Sequence, residues 1–275
     1  EYDDPASRRF HAQPNACPSC GPQLQLVTAD RSTGACADPL GETIRRLKAG
    51  QIVAIKGLGG YHLAVDAANR DAVAELRRRK QREERPFALM AKNLDAAAQL
   101  TAFGADEARL LQGIERPIVL LRKRSGHGLA ENIAPGNRYF GVMLPYTPLH
   151  HLLMQQFDAL VMTSANLSDE PIAFEDDDAR RRLASIADAF LLHNRRIHTR
   201  TDDSIARVMA GRPLLVRRSR GFVPRGVALP LSLIHISEPT RPSKSSRMPC
   251  SARQLARCAW WCCTATAGSP LSSRA

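Results

Sequence analysis

From residue 40 to about residue 230, short apolar runs alternate with longer stretches whose apolar positions recur every three or four residues. The first kind reads as buried strand and the second as amphipathic helix. Helical spacing covers 41–50, 70–80, 148–157 and 176–186, with two short helices in 94–112 broken at Gly104. Strand-like runs cover 51–57, 86–91, 117–123, 139–144, 159–164, 189–194, 203–209 and 213–219. Strands interleaved with helices predict a mixed α/β domain. Residues 1–39 read instead as a loop-rich, cysteine-bearing piece. Residues 231–275 mix Ser, Pro, Arg and Cys without period, and LSLIHISEPTRPS resembles translated adaptor sequence. The expected division is therefore 1–39, 40–230 and 231–275, with the last segment unstructured.

Charge narrows the partners. The chain of 275 residues carries +12. Residues 231–275 hold six Lys or Arg and one acid, so the remaining +7 lies upstream, mostly in RRLK, RRRKQR, RRR and RRSR. Such runs are either solvated helix faces or a surface for phosphate-bearing ligands, with RNA a secondary class. Aromatic residues are only 5%, which disfavours a base-stacking platform. No apolar run approaches the ~18 residues of a membrane span, and the N-terminus has no signal-peptide core. Cys17, Cys20 and Cys36 make no disulfide framework, and a cytoplasmic protein is expected.

Candidate chemistry gathers at strand ends, where α/β domains bind ligands. Lys80, Arg82 and Arg85 precede the strand of 86–91, and Ser164 and Asn166 close that of 159–164. Arg forks and Lys charges suit phosphate oxygens, while Ser and Asn orient less charged atoms. Lys56-Gly-Leu-Gly59-Gly60-Tyr-His62 is neither a complete dinucleotide fingerprint nor a P-loop. It is a tight turn or an anion-binding loop. Cys17-Pro-Ser-Cys20 aims two thiolates at one point, half of the four ligands a structural zinc needs. His150 and His151 are adjacent and diverge by about 100° on a helix, so packing or hydrogen bonding is expected of them rather than chelation. Asp202 and Asp203 either help place Mg²⁺ or close a turn.

Seven segments follow one another in a single order: RRFHAQPNACPSCGP, IVAIKGLGGYHLAVDAAN, RRRKQREERPFALMA, GVMLPYTPLHHLL, VMTSANLSDEPI, LHNRRIHTRTDDSIARV and LLVRRSRGFVP. Together they resemble the central part of the HypF-type carbamoyltransferases of nickel–iron hydrogenase maturation, from half of the second zinc finger through the YrdC-like domain. Val65, Arg85, Arg196 and Thr201 depart from residues usual in that family.

The resemblance implies a twisted mixed sheet with surrounding helices and a concave basic cleft. It implies ATP, Mg²⁺ and carbamate as ligands, and Zn²⁺ at Cys17 and Cys20. The Lys80-x-Arg82 pair and the Ser164-x-Asn166 element match family motifs that hold phosphates and acyl group. Lys56, Gly59, Gly60, His62, Arg85, Arg217, Ser219 and Arg220 are implied nucleotide contacts. The implied reaction is formation of carbamoyl-adenylate from ATP and carbamate derived from carbamoyl phosphate. The carbamoyl group then passes to a C-terminal cysteine of a maturation partner. The alternatives are a threonylcarbamoyl-adenylate synthase for tRNA modification and a non-catalytic RNA-binding module.

Overall fold

The computed structural model describes residues 4–7, 21–28, 36–167 and 170–227. All but two of these fall in one compact unit, Glu1–Arg225, and the other unit is Gly226–Ala275. In chain order the first elements are β1 (Leu24–Thr28), α1 (Pro39–Lys48), β2 (Val53–Lys56), β3 (Tyr61–Asp66), α2 (Arg70–Lys80) and β4 (Ala88–Ala91). Then come α3 (Leu94–Leu100), β5 (Thr101–Ala102), α4 (Ala105–Gln112), β6 (Ile118–Lys123), a 3₁₀ turn (Glu131–Ile133), β7 (Tyr139–Met143) and α5 (Pro148–Leu153). The last are β8 (Ala159–Ser164), α6 (Asp176–Arg182), β9 (Ala189–His193), β10 (Ile205–Met209) and β11 (Arg212–Arg217).

These strands form one sheet in the order β1-β9-β2-β3-β8-β4-β7-β6-β10-β11, with β5 joined to β6. The pairs β2/β9, β4/β7 and β6/β10 are parallel and the rest antiparallel, so the sheet is mixed as expected. Alternate side chains feed two cores. Ala54, Leu63, Val65, Leu89, Val119 and Val161 face the layer of α2, α3, α4 and α6. Val53, Ile55, Ala64, Met90, Met143 and Met162 face α1 and α5. Strands buried on both faces read as continuous apolar runs, which is why they were legible.

The second face is only partly covered. On β6, Val119 and Leu121 are buried, while Ile118 and Leu120 on the opposite face are half-buried. Beyond it, Met209, Leu214 and Val216 of the β10–β11 hairpin are exposed. The uncovered part of this face is where a cleft opens.

Three features differ from the sequence expectation. Residues 24–28, read as loop, form β1, which pairs residue for residue with β9 and buries Leu26 and Val27. The glycine turn at 57–60 leads directly into β3, which returns antiparallel to β2. The helix expected over 176–186 ends at Arg182, and Leu183, Ile186 and Ala187 then turn into the core. No helix of the described residues is long and apolar enough to cross a membrane.

Candidate functional site

Helix α2 starts at an Asn69 cap, whose side chain accepts from the N–H groups of Asp71 and Ala72. It stops where Gln81 takes a left-handed conformation at φ 51°. That stop turns Lys80 inward: the residue is 2% exposed. Its ammonium donates to the carbonyl oxygens of Ser164 and Asn166, each at 2.6 Å, and to Asn166 Oδ1 at 2.9 Å. Ser164 Oγ donates to the same Oδ1 at 2.9 Å, and Asn166 Nδ2 donates to the Glu170 carbonyl at 2.6 Å. Lys80 therefore clasps the end of β8 to the end of α2. Burial, and then the neighbouring Arg82 charge, bring its pKa down to about 7.

Beside the clasp lies a cleft of about 310 Å³, within the usual range for small-ligand sites. Arg82, Arg85 and Arg217 line it together with Thr163 and Ser164. Ile118, Leu120 and Gly141 of the uncovered sheet face, with Ile205 and Phe87, supply an apolar wall. Arg82 donates to the Pro86 carbonyl at 2.9 Å and lies 5.3 Å from the Phe87 ring centre. Burial lowers its pKa to about 10, helped by the charges of Arg77, Arg85 and Arg217. Several guanidinium groups at one mouth, next to hydroxyls and an apolar shelf, suit a ligand with both phosphates and a flat apolar part.

Asp202 and Asp203 also line the cleft. Asp203 Oδ2 lies 2.8 Å from His62 Nε2, and Oδ1 accepts from Arg220 Nε at 2.7 Å. Burial pushes the Asp203 carboxyl up, but His62 and then Arg220 outweigh it and hold it well below the usual carboxylate range. The other Arg220 nitrogens donate to the carbonyls of Glu115 and Arg116, and the guanidinium lies 3.7 Å from the Tyr146 ring centre. His62 and Arg220 thus brace Asp203 from either side, and the half-buried Ser219 is tied to Ser204 Oγ by its amide.

His150 is fully buried against Tyr146, with ring centres 4.5 Å apart. Neither ring nitrogen finds a partner among the described residues, so of the two roles expected, packing or hydrogen bonding, packing is the one seen. Burial, then His62, lower its pKa to about 3.

The glycine turn has a packing role. Lys56 is buried, paired with Asp176 at 2.6 Å, and donates to the His193 carbonyl. A Cβ at Gly59 would collide with Thr201, and one at Gly60 with Ile172. Neither Lys56 nor the glycines are among the residues lining the cleft, and the glycines are needed for close packing. Cys17 and Cys20 lie outside the described residues. Among the described residues no group of three His, Cys, Asp or Glu side chains is arranged to hold a metal ion. Sequence reasoning missed Thr163 and the apolar wall, because their residue types are those of any core strand.

This fold and cleft define a Sua5/YciO/YrdC-type domain, and the family model described as "Telomere recombination" matches residues 45–219. A second model, "HypF finger", matches residues 1–27, which include Cys17 and Cys20. The Carbamoyltransferase HypF of Rhodobacter capsulatus is 51% identical over 231 residues, covering 84% of this chain and 30% of that protein. A full-length HypF solved in its phosphate- and nucleotide-bound form matches with TM-score 0.74 and 48% identity, covering 81% of this chain and 29% of that one. P. abyssi Sua5, solved with L-threonine, shares the fold at TM-score 0.58 and 17% identity, covering 66% of this chain and 54% of that one. The chain belongs to the Sua5/YciO/YrdC family and, over more than four fifths of its length, is similar to HypF carbamoyltransferases. It spans about 30% of the length of the HypF relatives it matches.

Proposed function

We propose that the cleft binds ATP and carries the adenylation step of carbamoyl transfer. A carbamate oxygen attacks the α-phosphorus, the Pα–O bond to the β-phosphate breaks, and pyrophosphate leaves with the electron pair. The observation that carries this reading is the meeting of Arg82, Arg85 and Arg217 with Thr163 and Ser164 in one cleft, braced by Lys80 on Asn166. The guanidinium forks offset charge on the phosphates, and the half-buried site limits water at an intermediate that hydrolyses readily. The apolar wall suits the adenine ring.

Mg²⁺ would arrive on the nucleotide, as this ion commonly keeps substrate phosphates and one or two carboxylates. Asp202 is the cleft carboxylate for it, since both oxygens of Asp203 are committed. Cys17 and Cys20 would supply half of a zinc site within the finger segment. Carbamoyl phosphate as the source of carbamate, and a partner cysteine as the acceptor, follow for the longer protein, which acts in the cytoplasm. Residues 40–230 form the nucleotide-binding domain on this reading.

The test is calorimetric titration with Mg-ATP, followed by ATP–pyrophosphate exchange on addition of ammonium carbamate. Carbamate-dependent exchange is expected. Exchange that needs threonine and bicarbonate instead would move the chain to the tRNA-modifying reaction, and absence of ATP binding would remove the reading.

A further inference from the structure

Arg77 lies one turn before Lys80 in a run of arginines whose other members are paired with carboxylates. Arg78 pairs with Glu75, and Arg79 pairs with Glu75 and Asp188. Arg77 has no carboxylate partner among the described residues. Its guanidinium instead turns beneath the loop that joins α2 to β4. There Nη1 donates to the carbonyls of Arg82 at 2.8 Å, Glu83 at 2.9 Å and Arg85 at 3.2 Å. Nη2 donates to the Ile133 carbonyl at 2.9 Å and Nε to that of Asn132. The group also lies 4.5 Å from the Phe87 ring centre.

This arrangement is unusual for a helix-surface arginine. A partly buried cation without a counter-charge is unfavourable, and burial lowers its pKa accordingly. Five carbonyl dipoles offset that cost only because the guanidinium is a rigid fork of donors. Gathering three carbonyls of one loop beneath a single group fixes the direction of each peptide. The side chains of Arg82 and Arg85 then leave on the cleft side, where both line the cavity. The positive charge of Arg77 beside Arg82 adds repulsion that an incoming anion relieves.

We propose that Arg77 is a positioning residue for the anion-binding loop, holding the backbone of 82–85 so that Arg82 and Arg85 are set to receive a polyphosphate before it arrives. The proposal rests on the reading of the cleft as a nucleotide site.

Arg77→Lys keeps the charge but replaces the fork with a point donor, Arg77→Met keeps only the apolar stem, and exposed Arg78→Met is the control. Arg77→Lys is expected to stay folded and bind Mg-ATP about tenfold more weakly, with Arg77→Met weaker again, because charge-assisted contacts are lost indirectly. In an Arg82→Ala, Arg85→Ala background the Arg77→Lys effect should shrink to about twofold or less, the non-additivity expected of residues acting as a unit. Amide exchange in folded Arg77→Lys should rise in 82–87 and 132–134 and nowhere else, a readout that needs no ligand. Equal losses in both backgrounds, unchanged exchange in the loop, or failure of both Arg77 variants to fold would overturn the proposal. If the unaltered protein binds no ATP, the nucleotide reading fails while loop exchange still decides the role of Arg77.

Discussion

Lys80 and Asp203 show how two charged side chains near one cleft serve it by opposite routes. Lys80 gives three hydrogen bonds to the Ser164–Asn166 turn and is buried. Its removal takes the Lys80 donor from the Asn166 carbonyl, while Asn166 Oδ1 keeps the Ser164 hydroxyl and the Ser164 carbonyl keeps the Asn166 amide. Lys80→Met should therefore cost about 1–3 kcal/mol in denaturant unfolding. A solvated helix end would lose no more than about 0.5 kcal/mol. The pH dependence has two signs. With a folded pKa of about 7 against 10.5 unfolded, the unfolded chain binds more protons between those values. Stability from this group therefore rises with pH across that window and is lost as pH falls through 7. Ligand affinity should run the other way, since the neutral amine has one donor fewer for the clasp. Titrations from about pH 6 to about pH 9 should show weaker ATP binding with greater stability, and both trends should flatten in Lys80→Met.

Asp203 instead accepts from both His62 and Arg220. Asp203→Asn leaves one of these buried donors mismatched and should cost about 3–5 kcal/mol. Its loss of ATP affinity should be equal with and without Mg²⁺. A loss seen only with Mg²⁺ would make Asp203 a metal ligand instead of a brace.

Elements explain why the motifs meet. The hairpin of β2 and β3 must turn within four residues, and its glycines are squeezed between Thr201 and Ile172. Gly59→Ala should cost about 1–3 kcal/mol by overpacking and should disturb the segment that carries Asp202 and Asp203. Thermal melting, with amide exchange at 201–205, reports both effects. Strand β1 closes the other end of the sheet. Truncation before Asp38 should lose about 3–6 kcal/mol, the burial of Leu26 and Val27, and leave β9 as an exposed edge. An unchanged melting temperature would mean that β9 is stable without its partner.

At the scale of the whole molecule, the residues before 231 carry +7, and Arg82, Arg85 and Arg217 outnumber Asp202 and Asp203 in the cleft. ATP affinity should fall several-fold between low salt and about 0.15 M, where charges are screened beyond ~8 Å. Arg217→Ala should weaken that dependence, because this exposed side chain has no hydrogen-bond partner among the described residues. Isothermal titration at several ionic strengths measures both.

Most helices and strands were written in the sequence, because burial on one face or two leaves a period that needs no partner to be read, but β1, β3 and β5 were not read as strands. Lys80, Arg82, Ser164 and Asn166 could be picked out as two pairs at element ends, and the fold brings those ends together; their ligand roles belong to the proposed function. Partner choice was not legible. Lys56 finds Asp176 120 residues away and His62 finds Asp203 141 away, and nothing local distinguishes either from a ligand contact. The same holds for Arg77, one arginine among neighbours of equal charge until the loop folds over it. Sequence set which segments would be buried. Only the folded sheet, with part of one face left uncovered, decided which cations face a cleft and which are spent holding it open.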